Sequence, residues 1–218
     1  MNPYLYMIVG LCLIPYSFFL SAAEQPNIIY ILADDMGYGD VAANNPNCKF
    51  PTPFLDQLAE EGMRFSDAHT NSSVCTPTRY GILTGRYSWR THLKGGVLDG
   101  AAGPLIASDR TTVATFLKKQ GYNTACVGKW HLGMSWPTKD GKKPVRSRGD
   151  NIDFTQPIEN GPNDVGFDYF YGISASLNMP PHAYIENRMI DGEDLVFAKD
   201  SKDIKALGLV RAKEGWVS

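Results

Sequence analysis

Hydrophobic and polar positions along the chain fall into distinct regimes. Residues 1–23 contain no charged side chain, and the apolar run from Tyr4 to Leu20 is broken only by Pro15 and a few polar positions. Ser21, Ala22 and Ala23 follow, small residues of the kind found at an export cleavage site. The pattern predicts a secretory signal peptide over 1–23, although its start lacks the usual Lys or Arg. As a membrane anchor the run is short and proline-broken. Asn27–Ala33 (NIIYILA) is continuously apolar and rich in Ile, which predicts a strand buried on both faces of a parallel sheet. A helix is predicted from Pro53, with Thr52 as N-cap, an apolar stripe of Phe54, Leu55, Leu58 and Ala59, and Gly62 as its stop. Residues 63–69 alternate as a second strand would.

Further along, Pro77 predicts the start of a helix that runs toward Gly85. Another spans about Thr111–Gln120, with Val113, Phe116 and Leu117 on one face and Gly121 ending it. Residues 122–129 read as a third strand. Residues 137–164 are polar and read as a long surface loop, after which 166–176 returns to strand character. Strands alternating with helices predict an α/β fold with a doubly wound, mostly parallel sheet and flanking helices. In such sheets, binding groups gather at the carboxyl ends of strands. Asp34-Asp35 and Lys129-Trp130-His131 both fall at such ends.

Composition narrows the picture only a little. The 218 residues suit one domain or slightly more, and 43% hydrophobic content is enough for a real core. A net charge of -2 gives no electrostatic footprint for nucleic acid. Cys48, Cys75 and Cys126 remain after Cys12 is set aside with the signal peptide, an odd number that leaves at least one thiol to explain. Cys48 and Cys126 could pair, but the sequence does not show whether their Cβ atoms meet. Cys126 reads more simply as a small hydrophobe in a buried strand.

Three clusters carry chemistry. Asp34 and Asp35 repel each other unless a cation sits between them, and hard oxygen donors suit calcium or magnesium; the alternative is a cap plus a solvated carboxylate. Asp40, between glycines and a loop, reads as a turn residue. Lys129 and His131 project to one side of an extended segment, where a fixed cation beside an imidazole can bind an oxyanion and move a proton. Trp130 between them reads as a core anchor. Cys75, at a helix N-terminus with Arg79 four residues on, is a possible thiolate nucleophile with His69 or His131 as base. A thiolate matches a hard dication poorly, so an oxygen nucleophile at position 75 fits better.

These clusters stand in longer motifs. Cys75-Thr76-Pro77-Thr78-Arg79, continuing through Thr84-Gly85-Arg86, resembles the signature of the type I sulfatases. Gly121 through Gly133, with Lys129-Trp130-His131 inside it, resembles a second signature of that family, and Pro26 through Asp40 a third. The resemblance runs from about Pro26 to at least Ser176. It implies an alkaline phosphatase-like core and hydrolysis of a sulfate monoester on a sulfated carbohydrate or aryl sulfate. It also implies that a formylglycine-generating or anaerobic sulfatase-maturing enzyme oxidises Cys75 to formylglycine. The hydrated aldehyde is the oxygen nucleophile: one hydroxyl attacks sulfur, and the second loses its proton to expel sulfate. Asp34 and Asp35 are then calcium ligands, with residue 75 also facing the metal. Arg79 holds the hydrate, Lys129 touches hydrate and sulfate, His131 takes the proton, and Ser176 contacts sulfate. Asn178 and His182 lie near the expected substrate rim, where His182 is a substrate contact or a plain surface histidine.

The family's later Asp/Asn pair, later Lys and His, and smaller second domain have no counterpart before Ser218. The resemblance therefore implies that 24–218 is the N-terminal portion of a catalytic domain. Implied partners are a sulfated small molecule or glycan and the maturing enzyme, with no nucleic acid and no stable membrane span after signal cleavage. The implied destination is the periplasm, the exterior, or a lysosomal route. Two alternatives stand beside the sulfatase: a phosphodiesterase or phosphonate hydrolase of the same superfamily, and a non-catalytic fragment. Asn71-Ser72-Ser73 is an N-glycosylation sequon whose nearness to Cys75 argues against its use.

Overall fold

A computed structural model describes residues 25–145 and 149–192, together with the backbone of 196–198 and 215–217. The signal peptide expected over 1–23 lies outside the described residues. The chain divides into two compact units, Met1–Thr52 and Pro53–Ser218. Among the described residues no helix is long and apolar enough to cross a membrane.

In the first unit, residues 27–33 form no strand, and Ile28, Ile29, Tyr30 and Ile31 are exposed. The strand expected there is not realised. A strand is held by ladder hydrogen bonds to a neighbour, and the described part of this unit contains no second strand to supply them. Asp34 and Asp35 form a turn, with Asp35 in the left-handed region at φ 68°. Two short 3-10 turns follow, Tyr38–Asp40 and Ala42–Asn44. The Asp40 carboxylate accepts from the Gly37 N–H at 2.8 Å, so Asp40 is the turn residue its glycine flanks predict. The Thr52 hydroxyl accepts from the Ala42 N–H at 2.9 Å.

The second unit opens with helix α1, Pro53–Glu61, whose end is marked by the Gly62 N–H donating to the Leu58 carbonyl at 3.0 Å. Residues 63–69 form no strand, and Met63 and Phe65 are exposed. Helix α2 spans Cys75–Thr84 and begins two residues before the expected Pro77. Proline lacks an N–H, so it is tolerated anywhere in a first turn, where that group has no intrahelical acceptor. Gly85 ends α2 in the left-handed conformation at φ 66°. Helix α3, Val113–Lys119, is set by a reciprocal cap between Thr112 and Thr115.

Four strands form one sheet in the order β1-β2-β3-β4: β1 Ala125–Lys129, β2 Tyr169–Ile173, β3 Tyr184–Glu186 and β4 Met189–Asp191. β1 and β2 are parallel, and β3 and β4 extend the sheet antiparallel. The expected α/β class forms, with a mixed sheet. A separate antiparallel pair joins β5, Val196–Ala198, to β6, Gly215–Val217. The parallel pair approaches closely at Gly128 and Gly172, where a Cβ on Gly172 would lie 1.8 Å from the Gly128 carbonyl oxygen. Only glycine fits there.

The core gathers Trp130, Leu132, Met134, Phe170 and Ile185 with Tyr80 from α2. Trp130 is the anchor expected, 3% exposed, set edge-on to Phe167 and Phe170, with its Nε1 donating to the Gly133 carbonyl at 2.9 Å. Residues 137–164 are more than a surface loop. Ile152 is fully buried and Ile158 nearly so, and bridges join Ser135 to Glu159 and Thr138 to Ile152. Each such side chain contributes about 1.5–3 kcal/mol by leaving water.

Candidate active site

β1 and β2 run parallel, so their carboxyl ends lie together, at Lys129 and Ile173. The amino end of α2 meets them there. Cys75 is the first residue of α2, half-buried. The Lys129 ammonium donates to the Cys75 sulfur at 3.2 Å and to the Ser176 hydroxyl at 3.0 Å. Ser176 lies three residues past the end of β2, so both strand ends and the helix converge on one cation.

Arg79 lies one turn along α2 from Cys75, and its guanidinium donates to the Lys129 backbone carbonyl. It therefore clamps the end of β1 to the helix. Its charge also reaches Cys126, whose thiol is pushed up to about 11 by burial, with the Arg79 charge partly opposing the shift. Cys126 packs against the core cluster, as a small hydrophobe does, and it is a free thiol like Cys48 and Cys75. The Cys48–Cys126 pairing does not form.

His131 is reached by a turn, not by the alternation of an extended strand. Its φ is 57°, in the left-handed region, and the ring is 1% exposed. The backbone N–H of His131 donates to the Ser174 carbonyl at 2.9 Å. Ring Nε2 meets the Leu98 carbonyl at 2.8 Å. A carbonyl can only accept, so Nε2 carries a proton, and in the neutral form of the ring the lone pair is on Nδ1. Thr76, fully buried beside Cys75, ties these parts together: its hydroxyl donates to the His131 carbonyl at 2.9 Å and accepts from the Leu98 N–H at 3.2 Å. Thr76 stands in the Cys75–Arg79 motif without a role of its own, and nothing in its spacing marks a bond that closes across 55 positions.

Asn71 is a second residue that spacing did not reveal. Its side-chain amide donates to the Pro77 carbonyl at 2.7 Å and lies against α2 over Gly81. Other expected groups are placed differently. His69 is largely exposed and its Nε2 meets the Asp67 carboxylate at 2.6 Å, a surface contact away from Cys75 in role. His182 is half-buried just after Pro181, in a segment whose Pro180 carbonyl packs against Gly100. Asp34 and Asp35 belong to the first unit, exposed on their turn. Two adjacent carboxylates are the hard oxygen donors that calcium takes. Among the described residues no cluster of three or more His, Cys, Asp or Glu could hold a metal ion.

Residues 26–205 match the family model Sulfatase. The chain is 38% identical over 172 residues to the N-acetylgalactosamine-6-O-sulfatase of Bacteroides thetaiotaomicron, covering 79% of this chain and 31% of that protein. It is 47% identical over 116 residues to arylsulfatase A of Bos taurus, covering 53% of this chain and 22% of that protein. A solved structure from work on glycosaminoglycan metabolism by Bacteroides thetaiotaomicron superposes with a TM-score of 0.69 at 35% identity, over 82% of this chain and 35% of that one. The chain thus spans about a third or less of the length of these relatives. The shared fold is the alkaline phosphatase-like α/β architecture. With Cys75, Arg79, Lys129 and Ser176 joined at the ends of two parallel strands and the family model matched over residues 26–205, the chain belongs to the sulfatase family.

Proposed function

We propose that this chain carries the nucleophile half of a sulfuric ester hydrolase acting on sulfate monoesters. One observation carries the reading: a single ammonium, Lys129, lies within hydrogen-bond reach of both Cys75 and Ser176 at the carboxyl ends of the parallel strands. The relatives' names, an N-acetylgalactosamine-6-O-sulfatase and an arylsulfatase, supply the bond type. Cys75 is the residue that would be converted to formylglycine, whose hydrate would supply an oxygen nucleophile, and a bound calcium ion would supply positive charge for the anionic substrate. Asp34 and Asp35 are the carboxylates of this chain suited to hold that cation.

The chain's own groups have separate tasks. Lys129 neutralises and orients the anion beside residue 75, a preorganised charge of the kind worth several kcal/mol in a water-poor site. Ser176 adds a hydroxyl donor on the same side. Arg79 fixes the Lys129 backbone, so the ammonium is held by a rigid strand end and not by a loop. His131 accepts a proton at Nδ1, because the Leu98 carbonyl keeps the other ring nitrogen protonated. The half-buried His182 serves as a substrate contact at the rim. Export to the periplasm, the exterior or a lysosomal route is part of this reading.

Two measurements test it. After co-expression with a maturing enzyme, the peptide containing Cys75 should weigh less by the difference between a CH2SH and a CHO group. Parallel assays on 4-nitrophenyl sulfate and a bis-nitrophenyl phosphodiester should favour the sulfate ester. Preference for the phosphodiester would transfer the chain to its phosphodiesterase relatives. An unmodified Cys75 with no turnover of either ester would mark a non-catalytic piece.

A further inference from the structure

The segment between α2 and Leu98 holds groups that sulfate-ester cleavage at residue 75 does not use. It leaves the carboxyl end of α2, makes a 3-10 turn at Ser88–Arg90, and returns so that the Leu98 N–H reaches Thr76, beside Cys75. A ten-residue helix is about 15 Å long, so the turn lies within a few sugar lengths of the nucleophile. Tyr87 and Trp89 stand on this turn with near-parallel rings, centroids 5.6 Å apart and planes 16° apart. That separation exceeds the contact thickness of about 3.5–4 Å between stacked carbons, so the rings are slipped and part of each face stays open. Each residue is about half exposed, 50% for Tyr87 and 52% for Trp89.

The turn is built to hold these rings in place. Ser88 between them is buried, and its carbonyl accepts from the Thr91 hydroxyl at 2.6 Å. The Lys94 ammonium donates to the Trp89 carbonyl at 2.9 Å. The Arg90 guanidinium lies over the Trp89 ring, 5.3 Å from its centroid, and covers part of that face, so the open stacking surface is the rest of Trp89 and Tyr87. No Asp or Glu occurs between Asp67 and Asp99, while Arg86, Arg90 and Lys94 all fall there. A rigid aromatic pair within a purely cationic stretch suits a ligand with apolar ring faces and anionic substituents. We propose that Tyr87, Trp89 and Arg90 form a stacking subsite for a sulfated glycan. A pyranose ring lays its C–H face on the aromatic pair, and Arg90 pairs with a sulfate on that or the next sugar. The choice of a sulfated ligand rests on the function proposed above; the residues are separate from it. Single-stranded nucleic acid is the other anionic ligand that stacks, and the net charge of -2 argues against it.

The full chain carrying Cys75→Ala, which cannot turn over a glycan, is run through native gels containing chondroitin sulfate, hyaluronan or poly-dT. Chondroitin sulfate should retard it, unsulfated hyaluronan and poly-dT much less. Trp89→Ala and Tyr87→Ala should each weaken retardation about two- to tenfold, with Trp89→Phe recovering most of it. Arg90→Gln, at the rim of the turn, should weaken binding and flatten its dependence on salt. It tests the charge arm should Trp89→Ala fail to fold. Equal retardation of parent, Trp89→Ala and Arg90→Gln overturns the proposal, as does tighter binding of poly-dT or hyaluronan. In the otherwise native chain, Trp89→Ala should leave 4-nitrophenyl sulfate turnover intact. Turnover without ring-dependent glycan binding removes the subsite and keeps the sulfatase. Ring-dependent binding without turnover does the reverse.

Discussion

Gly81→Ala should destabilise this protein, against the usual rule for a helix interior. Replacing glycine by alanine in the middle of a helix ordinarily stabilises by about 1 kcal/mol, because the backbone loses less entropy on folding. At position 81 the new Cβ would lie 2.0 Å from Nδ2 of Asn71, 2.2 Å from its Cγ and 2.5 Å from its Oδ1. The Asn71 side chain must therefore leave, and its 2.7 Å bond to the buried Pro77 carbonyl goes with it. Losing that bond and leaving part of a buried acceptor unmet costs about 1–3 kcal/mol. The net expectation is a loss of roughly 1 kcal/mol, set by the difference between these two terms. Asn71→Ala should cost about the same as the bond alone. It also removes all three atoms that the new Cβ meets. In the Asn71→Ala background, then, Gly81→Ala should stabilise by up to about 1 kcal/mol. The sign of one substitution reverses with the other, a coupling of about 2 kcal/mol. Urea unfolding of the parent, both single variants and the double variant measures it. A stabilising Gly81→Ala in the parent chain, or additive effects, would refute the role given to Asn71.

Other expectations follow from the same geometry. Lys129→Ala should lower kcat/KM for 4-nitrophenyl sulfate at least about a hundredfold in matured protein, and a loss under tenfold would remove Lys129 from the anion site. Thr76→Val keeps the shape but deletes a hydroxyl that serves both His131 and Leu98; a midpoint shift in urea worth about 2–3 kcal/mol is expected, and an unchanged midpoint contradicts the bridging role. The Cys126 thiol ionises near 9.0 when free and near 11 when folded, so its contribution to stability is complete below pH 9 and is lost as pH rises from 9 to 11. That loss is roughly 2–3 kcal/mol, and Cys126→Ala should flatten this part of the stability–pH curve relative to the parent; parallel curves would count against it.

Much of the candidate site was legible because it depends on short spacings. Cys75 and Arg79 are one helical turn apart, and Lys129 ends an apolar strand, so their types and positions could be read locally. Helix α3 was legible for the same reason, since Val113, Phe116 and Leu117 mark one face and Gly121 its end within nine residues, while its Thr112–Thr115 cap was seen only in the structure. The segment 27–33 has strand composition, but a strand is made by its neighbour, and composition carries no record of who pairs with whom. Ile152 and Ile158 were hidden inside a polar stretch because isolated apolar residues in irregular chain have no period to detect. Thr76 was hidden because a buried hydroxyl looks like any other small residue until its distant acceptor, the His131 carbonyl, is in view.

The engagement of Asn71 has a consequence for biosynthesis. The amide nitrogen that an oligosaccharide would occupy in the sequon Asn71-Ser72-Ser73 is the same nitrogen that holds the Pro77 carbonyl. An attached sugar would replace one of the two N–H groups of an amide packed so closely on α2 that Gly81 has no room even for a methyl group. Glycan transfer at Asn71 therefore competes with the close seating of that side chain on helix α2. In a compartment that glycosylates such sites, the speed with which this segment folds decides how much of the protein can become competent.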